Sequence, residues 1–523
     1  MADRPKLLLF SHLCGPDVVT GAEKLLLLFA KELNRHFHCV MVVPKEGALA
    51  VQARQNGMET VLLDLPLGLA IYLGSPNVQE ELHALSQQPT WEPLVFLLLR
   101  ERPAYVYVNT SVHPMPAMAA SALGIPVIWS LMETLRESPY RALAADAVNV
   151  YSTRIVGISE TVLGALPPEL RAAKGSVLRP YLHAADYMPH RWPEARASLR
   201  KSLGWGDHHL VAGYIAATIY PNKGLREFIQ AMLPIAVQNP RARLLIVGMP
   251  VDEEYVQQCR ELLRAAGLAD RAAWLGFEER IDAVYPAMDV LAVPSLVAEG
   301  FGMTALEGMA FGKPVVSFAS GGLQEILEMT GNEAYLVTPG NVSGLTFRIS
   351  TLLDNEQLRA AVGRRNAEEA QRLFGIEAFR ASLDGLLRSL PPPGSFSPAP
   401  PAPSGAALPA AGLVRGSGPT VYWLKGGRRR PFPSARALLR NGFRFADVRE
   451  VSDLALEDVP LGKPMPERPI RGRKSAGRRR RGVGRRRRGR AGRQVRTILS
   501  YRRRRSRRRL APRRKLKIRV RRR

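Results

Sequence analysis

The sequence has 523 residues, with 75 Lys and Arg against 46 Asp and Glu, and a formal net charge of +29. A chain of this length can form two or three domains with sizeable cores. Cys14, Cys39 and Cys259 are far apart, which argues against a disulfide framework or a zinc knuckle and favours a reducing compartment. The apolar runs are too short for a signal peptide or a membrane span. We therefore expect a soluble, cytoplasmic protein, with peripheral contact to the inner face of the membrane left open.

The excess positive charge lies at the C-terminal end. Residues 468–523 hold 30 of the Lys and Arg residues and no acid, which leaves 45 basic and 46 acidic residues elsewhere. Like charges at this density cannot pack, so residues 467–523 are predicted to be a disordered Arg-rich tail. Such a tail attracts nucleic acid, an anionic membrane or an acidic polysaccharide through counterion release. A low-complexity extension without selected function is the alternative.

The first domain is predicted at residues 1–190. A buried strand at Lys6–Phe10 is followed by a loop and a helix from about Ala22 to Leu33. Alternating strands and helices predict a parallel sheet covered on both faces, with ligands at the carboxyl ends of the strands. Further strands are predicted at Cys39–Val43, Thr60–Leu63, Tyr105–Val108, Val127–Trp129 and Arg154–Ile158.

The second domain is predicted at residues 191–390. A strand ending near Ala216 leads through a loop to a helix that begins at Gly224, with Lys223 directly before it. A lysine there adds a full charge to the helix dipole, and both suit a diphosphate. A solvated lysine at a helix start is the alternative. Two more strands are predicted at 243–248 and 272–277.

Two carboxylates, Glu299 and Glu307, flank a glycine loop within the stretch from Val290 to Pro314. A short buried strand, two glycines and a helix starting at Met303 follow one another here. The helix N-terminus offers unpaired N–H groups to a phosphate, and the carboxylates offer acceptors to sugar and ribose hydroxyls. A surface helix with an ordinary glutamate, and a second glutamate in a loop, is the alternative.

The segment EGFGMTALEGMAFGKPVV, followed by SGGLQEIL, resembles the donor-site signature of the retaining glycosyltransferases of family 4. The resemblance covers about residues 1–390 and implies the α/β GT-B fold, in which two doubly wound Rossmann-like domains face a cleft. It also implies that the last helix, roughly Ile376 to Leu390, crosses back to the first domain.

The same resemblance gives roles to residues of the second domain. It implies that Glu299 lies beside the transferred sugar and that Glu307 holds the ribose. Lys223 and the backbone around Gly302, Met303 and Thr304 would hold the diphosphate. Gly276 would lie beside the nucleotide base.

In the first domain, the segment TGAEKLL resembles the family's first glycine loop, where Gly21 would let the backbone approach the donor phosphates or the acceptor. A simple tight turn is the alternative. His113 follows the Tyr105 strand, and we expect it to face the cleft and contact the acceptor or the sugar. A solvated loop histidine is the alternative reading of His113.

Two positions depart from the family pattern. Met132 stands where relatives often carry a histidine before an acidic residue, which leaves Glu133 a weak candidate for acid/base work. Thr218 stands where relatives frequently carry an arginine, so one cation for the diphosphate is missing.

A Pro-rich linker is predicted at residues 391–414, because eight prolines occur among residues 391–412. A small α+β module is predicted at 415–466, with a hairpin around Lys425-Gly426-Gly427 and a helix capped by Ser434. This module resembles short domains attached to varied bacterial surface-associated proteins.

The sequence thus predicts an enzyme of hexosyl-transfer type that moves a sugar from a nucleotide-sugar donor to an acceptor hydroxyl with retention. We expect no metal, because neither an Asp-x-Asp pair nor a histidine cluster stands where one would be held, and no cofactor beyond the nucleotide-sugar co-substrate. The acceptor, a glycan, lipid or small molecule, stays open. The alternatives are a non-catalytic nucleotide-sugar or polyanion-binding protein and a sugar epimerase of the same fold.

Overall fold

A computed structural model describes residues 4–466 apart from 20, 183–186, 393–410, 416–419, 445–446, 452–455 and 457–458. The predicted Arg-rich tail and most of the predicted linker therefore lie outside the described residues. The described residues form two parallel sheets and one smaller mixed sheet. None of the described helices combines the length and the apolar character that crossing a membrane requires.

The first domain is built on a seven-stranded parallel sheet in the order β3-β2-β1-β4-β5-β6-β7. Its strands are β1 (Lys6–Phe10), β2 (His38–Val43), β3 (Glu59–Leu62), β4 (Tyr105–Asn109), β5 (Val127–Leu131), β6 (Arg154–Gly157) and β7 (Gly175–Val177). Every residue of β4 and β5 is buried, as expected for strands covered on both faces. The strand order reverses beside β1, so right-handed crossovers place the helices on both faces and open a crevice there.

The helices of this domain connect the strands in turn. They are α1 (Gly21–Leu33), α2 (Ala48–Gln55), α3 (Ala70–Leu73), α4 (Val78–Ser86), α5 (Trp91–Glu101), α6 (Pro114–Ala122), α7 (Arg141–Tyr151), α8 (Glu160–Gly164) and α9 (Pro168–Lys174). The predicted strands and the first predicted helix agree with these bounds to within a few residues.

The second domain repeats the design with a six-stranded parallel sheet in the order β10-β9-β8-β11-β12-β13. Its strands are β8 (Leu210–Ile219), β9 (Ala242–Pro250), β10 (Ala272–Leu275), β11 (Val290–Val293), β12 (Val315–Phe318) and β13 (Leu336–Val337). Its helices are α10 (Trp192–Ser202), α11 (Leu225–Gln238), α12 (Glu253–Ala265), α13 (Ile281–Val284), α14 (Met303–Ala310), α15 (Gly322–Met329), α16 (Val342–Asp354), α17 (Glu356–Phe374) and α18 (Ile376–Ser389). The predicted end of β8 at Ala216 is three residues too early, because β8 pairs with β9 beyond an irregularity and reaches Ile219.

The last helix of the second domain, α18, packs on the first domain. Phe379 lies 5.3 Å from the ring of Phe29 and 4.7 Å from that of Tyr181. Arg380 binds Glu32 of α1, with an Nε to Oε2 distance of 2.8 Å. The crossing of this helix to the first domain, expected from the resemblance, is confirmed.

A small mixed sheet follows in the order β16-β15-β14-β17. Its elements are β14 (Gly412–Arg415), β15 (Val421–Lys425), β16 (Arg428–Pro431), α19 (Ala435–Arg440) and β17 (Val448–Glu450). The predicted hairpin is β15–β16, and the predicted cap is confirmed because Ser434 Oγ accepts the N–H of Ala437. Strands β14 and β17 were not predicted from the sequence. Because β14 begins at Gly412, the module starts three residues before its predicted bound at 415. The helix of this module, α19, contacts the first domain, where Arg440 donates to Gln87 at 2.6 Å.

A largely buried carboxylate, Asp289, binds α10 to the start of β11. Its two oxygens accept from Arg196 at 2.8 Å, from Arg200 at 2.7 Å and from the N–H of Val211 at 2.7 Å. Burial alone would raise the pKa of Asp289, but Arg196, Arg200 and the Val211 N–H outweigh it, and the pKa is lowered. The side chain of Arg200 is only 1% exposed, so the removal of its partner would leave a charge buried and unpaired.

We expect Asp289→Asn to lower the free energy of unfolding by about 3 kcal/mol at neutral pH, measured by urea titration. Because the folded pKa is depressed, the stabilisation is present above the unfolded value of about 3.9 and is lost as the pH falls through the folded pKa. The difference between the two proteins should therefore shrink in acid. The control is Glu261→Gln in the exposed pair with Arg264, which should change little. Equal losses in both variants would contradict the role of Asp289.

Candidate functional site

A cleft of about 560 Å³ lies between the two parallel sheets, at the carboxyl ends of their strands. Both domains contribute to its walls, as expected for two doubly wound sheets that face each other. The lining from the first domain includes Gly21, Ala22, Lys24, Met132, Glu133 and Ile158. The lining from the second domain includes Thr218, Lys223, Ser295, Glu299, Gly300, Gly302, Met303, Thr304 and Glu307.

The N-terminus of α14 opens on this cleft. Gly302 is its N-cap residue with a φ of +107°, a value that L side chains rarely adopt, and an added Cβ would lie 2.6 Å from Leu323. The first turn of a helix leaves N–H groups without intrahelical partners and carries partial positive charge. Since Met303 and Thr304 also line the cleft, this end of the helix can receive a phosphate.

Glu307 lies one turn into α14 and both of its oxygens are engaged. Oε1 accepts from Lys24 Nζ of the first domain at 3.0 Å, and Oε2 accepts from the Tyr285 hydroxyl at 3.0 Å. Burial first, and then Glu307, raises the pKa of Tyr285 well above 10, so its hydroxyl remains a donor. The Lys24 side chain is 52% exposed, so its bond is the one that a ligand hydroxyl can replace.

Glu299 and Lys223, two residues that the sequence singles out, are in direct contact. Lys223 Nζ lies 2.6 Å from Glu299 Oε1, and the Ser295 hydroxyl donates to the same oxygen at 2.7 Å. Both partly exposed side chains line the cleft. A carboxylate and an ammonium group are thereby held beside the N-terminus of α14.

The backbone at Gly224 explains why Lys223 reaches Glu299. Gly224 has a φ of +74° and caps α11, and an added Cβ would lie 1.8 Å from the carbonyl oxygen of Pro294. The loop before α11 therefore packs directly on the chain that leaves β11, where the N–H of Leu296 donates to Asn222 O at 2.9 Å. Only glycine allows this approach.

On the opposite wall, Gly21 begins α1 with a φ of +53° and lines the cleft, as expected for a glycine loop. Glu133 also lines the cleft, where its Oε1 accepts from the N–H of Ser111 at 2.7 Å and from the Ser111 hydroxyl. Burial raises the pKa of Glu133, although the bonds from Ser111 oppose this effect. Its raised pKa lies closer to neutral pH, which suits a general acid or base.

His113 does not face the cleft, and this expectation is wrong. Its side chain is 2% exposed and packs edge-on against the Phe10 ring at 6.4 Å, because α6 begins at Pro114 and the short connection after β4 turns the ring inward. Burial, with His12 adding to it, lowers the pKa of His113 to about 3, so the ring is neutral. A catalytic role of His113 stays a prediction.

Gly276 is exposed just after β10 and is not among the described residues that line the cleft, although the neighbouring Phe277 is. A contact of Gly276 with the base also stays a prediction.

Lys24 and Tyr285, the two partners of Glu307, were not predicted from the sequence. Lys24 lies one turn after Gly21 in the same motif, which is a usable signal, whereas no pattern around Tyr285 points to Glu307. Among the described residues, no group of three or more His, Cys, Asp or Glu residues could hold a metal.

Comparison with known proteins shows which family and which folds this chain is similar to. Residues 196–369 match the family described as "Glycosyl transferases group 1", and this segment contains Lys223, Glu299 and Glu307. The structure is similar to HepE from Anabaena, solved with UDP and glucose, with a TM-score of 0.61 and 23% identity over 74% of this chain and 100% of that chain. It also resembles sucrose-phosphate synthase from Thermosynechococcus elongatus, with a TM-score of 0.56 and 19% identity over 74% and 98% of the two chains. The fold is therefore GT-B, and residues 196–369 resemble a group 1 glycosyltransferase domain.

Three of the similar proteins are named as sugar transferases. The chain is 27% identical over 281 residues to a GDP-mannose-dependent monoacylated alpha-(1-6)-phosphatidylinositol monomannoside mannosyltransferase from Corynebacterium glutamicum, over 52% of this chain and 70% of that protein. It is 29% identical over 269 residues to a 2-deoxystreptamine N-acetyl-D-glucosaminyltransferase from Streptomyces fradiae, over 49% and 57%. It is 31% identical over 217 residues to a D-inositol 3-phosphate glycosyltransferase from Corynebacterium efficiens, over 40% and 50%. The matched segments thus span between half and 70% of these relatives.

The close packing of the Lys223 loop can be tested by a matched pair of glycine substitutions. We expect Gly224→Ala to lower the free energy of unfolding by about 2 to 4 kcal/mol, because the new Cβ meets both a left-handed backbone and the Pro294 carbonyl. Gly276→Ala should change it by less than about 0.5 kcal/mol, since an added Cβ there meets nothing within 4 Å. Chemical denaturation measures both. A Gly224→Ala protein as stable as the parent would show that the loop can move away from Pro294.

Proposed function

We propose that the chain transfers a hexose from a nucleotide-sugar donor to an acceptor hydroxyl with retention of configuration, as a glycosyltransferase of family 4. The observation that carries this proposal is the convergence of Lys223, Glu299 and Glu307 with the N-terminus of α14 on one cleft. The group 1 match over these residues and the names of the relatives support it.

The chemistry of the site suits a leaving nucleoside diphosphate. As the bond between the sugar and the diphosphate breaks, negative charge grows on the leaving phosphate oxygens. Lys223 and the N–H groups of Met303 and Thr304 would neutralise that charge from fixed positions. Glu307 would accept bonds from the ribose hydroxyls, with Tyr285 holding its other oxygen in place.

Glu299 is proposed to lie beside the sugar. Its contact with Lys223 gives the carboxylate a fixed position in the cleft, and sugar hydroxyls are donors that a charged acceptor binds well. The first-domain wall, with Gly21 and Glu133, would receive the acceptor. Retention rests on the sequence signature from Glu299 to Glu307 and on the family it resembles.

The donor is proposed to be a nucleotide hexose. One relative is named for its dependence on GDP-mannose, and one structural neighbour was solved with UDP and glucose, so a panel of donors should include both bases. The Arg-rich residues 468–523 stay a predicted polyanion-binding segment, and an anionic membrane or nucleic acid is the proposed partner.

Incubation of the full-length protein with a panel of nucleotide sugars should release nucleoside diphosphate from one of them. Lys223→Gln should lower kcat by about a hundredfold, because its charge meets the diphosphate as negative charge develops, while affinity for the unphosphorylated nucleoside stays unchanged. Conversion of the donor to an isomeric nucleotide sugar without release would favour an epimerase. Release by parent and variant at equal rates would remove Lys223 from the reaction.

The ribose contact is tested with Glu307→Gln. We expect the dissociation constant of the nucleoside diphosphate, measured by calorimetry, to rise about tenfold or more, since a bond to a charged acceptor contributes about 1.5 to 3 kcal/mol. Glu307→Gln also weakens the contact with Lys24, and Lys24→Met measures the effect of losing that contact alone. Glu328→Gln, on the exposed side of α15, is the neutral control. An unchanged constant in Glu307→Gln would exclude a ribose contact.

A further inference from the structure

One carboxylate, Glu325 of α15, ties the second domain to the first beside the cleft. It accepts from the N–H groups of Glu160 and Thr161 at 3.1 and 2.9 Å, and from the Thr161 hydroxyl at 3.1 Å. Arg179 donates to it twice, from Nε at 3.1 Å and from Nη2 at 2.8 Å. All five donors belong to the first domain, at the start of α8 and after β7.

This contact differs from an ordinary surface ion pair. The Glu325 side chain is 12% exposed, and bonds from an arginine and from backbone N–H groups to a carboxylate are among the stronger kinds. Burial alone would raise the pKa of Glu325, but the N–H groups of Thr161 and Glu160 and the charge of Arg179 lower it on balance. The carboxylate therefore stays ionised and holds its partners at neutral pH.

The same start of α8 also touches the loop that carries Glu299. Ser159 Oγ accepts from the Val162 N–H at 3.0 Å, which caps α8, and donates to the carbonyl oxygen of Gly300 at 2.6 Å. An added Cβ on Gly300 would lie 2.3 Å from the carbonyl oxygen of Met132 and 3.3 Å from Ile158. The first domain is thus pressed against the loop on one side.

The start of α15 holds the other side of that loop. The N–H of Gly322 donates to Glu299 O at 2.8 Å, and an added Cβ on Gly321 would lie 2.5 Å from the same oxygen. An added Cβ on Gly322 would lie 2.4 Å from Phe301 O. The backbone of residues 299–301 is therefore enclosed between α15 and the first domain, and Glu325 joins these two walls.

We propose that Glu325 is a positioning residue for the transfer reaction. It holds the two domains closed on the loop of residues 299–302 and thereby orients Glu299 towards the first-domain wall that would receive the acceptor. The inference rests on the proposed function. Glu325 is not among the described residues that line the cleft, so it acts through the loop and touches no substrate. Its loss should slow transfer and leave donor binding, which uses Lys223 and Glu307, nearly intact.

The variants are Glu325→Ala and Arg179→Ala, the second of which removes only two of the five bonds. The matched control is Arg380→Ala, whose partner Glu32 is also 12% exposed and which joins α18 to the first domain at a position that does not line the cleft. Three quantities are measured on full-length proteins: kcat for transfer, the dissociation constant of the nucleoside diphosphate, and amide hydrogen exchange at residues 299–302.

We expect kcat to fall about tenfold or more in both variants, because small displacements of reacting groups cost large factors in rate. The dissociation constant should change by less than about threefold, and exchange at 299–302 should quicken. The control should alter neither rate nor exchange. A control as slow as the variants, or kcat unchanged beside faster exchange, would overturn the inference.

The failure of the proposed function can be told apart from the failure of this inference. If the parent protein turns over no nucleotide sugar, the proposed function fails, and hydrogen exchange alone then decides whether Glu325 holds the loop. Unchanged exchange at residues 299–302 in a folded Glu325→Ala protein overturns the inference whatever the activity. Recovery of kcat in Arg179→Lys, which restores a charge to the contact, would support it.

Discussion

The site depends on one constraint, which is that a carboxylate removed from water requires a cation or a donor. Glu299 and Glu307 meet this requirement through lysines, Lys223 and Lys24, that come from different domains. One pair lies within the second domain and the other crosses the cleft. The two carboxylates are thus already paired, and a sugar nucleotide that offers its hydroxyls to them and its phosphates to Lys223 would keep opposite charges together.

The two carboxylates also differ in how firmly they are held. Glu307 is fixed by a buried tyrosine hydroxyl and sits in a helix, whereas Glu299 sits in a loop whose backbone is enclosed by neighbouring glycines. The backbone of Glu307 and the contact of its Oε2 are therefore set within the second domain, and only its Oε1 contacts the first domain, through Lys24. The position of Glu299 also depends on the first domain through Gly300, so the closure of the two domains becomes part of the geometry of the site.

The sequence predicted the fold class and most strands because buried parallel strands are continuous apolar runs. The family resemblance assigned Lys223 and Glu299 to one donor site, but it did not predict their direct contact. Sequence reasoning placed His113 incorrectly, since strand order indicates which end of the sheet a loop occupies but not which way a ring turns. The contact of Tyr285 with Glu307 and that of Glu325 with α8 join residues far apart in the chain. No local period or spacing encodes such contacts, and they follow only from tertiary packing.

The return of α18 to the first domain has a consequence for folding during synthesis. Phe29 and Tyr181 are covered by Phe379, which lies 350 residues beyond Phe29 in the chain. At a translation rate of about 5 to 20 residues per second, the apolar surface around Phe29 stays uncovered for about 20 to 70 s after it leaves the ribosome. The first domain therefore keeps a hydrophobic patch accessible to chaperones while the second domain is synthesised, and the patch is covered when α18 emerges.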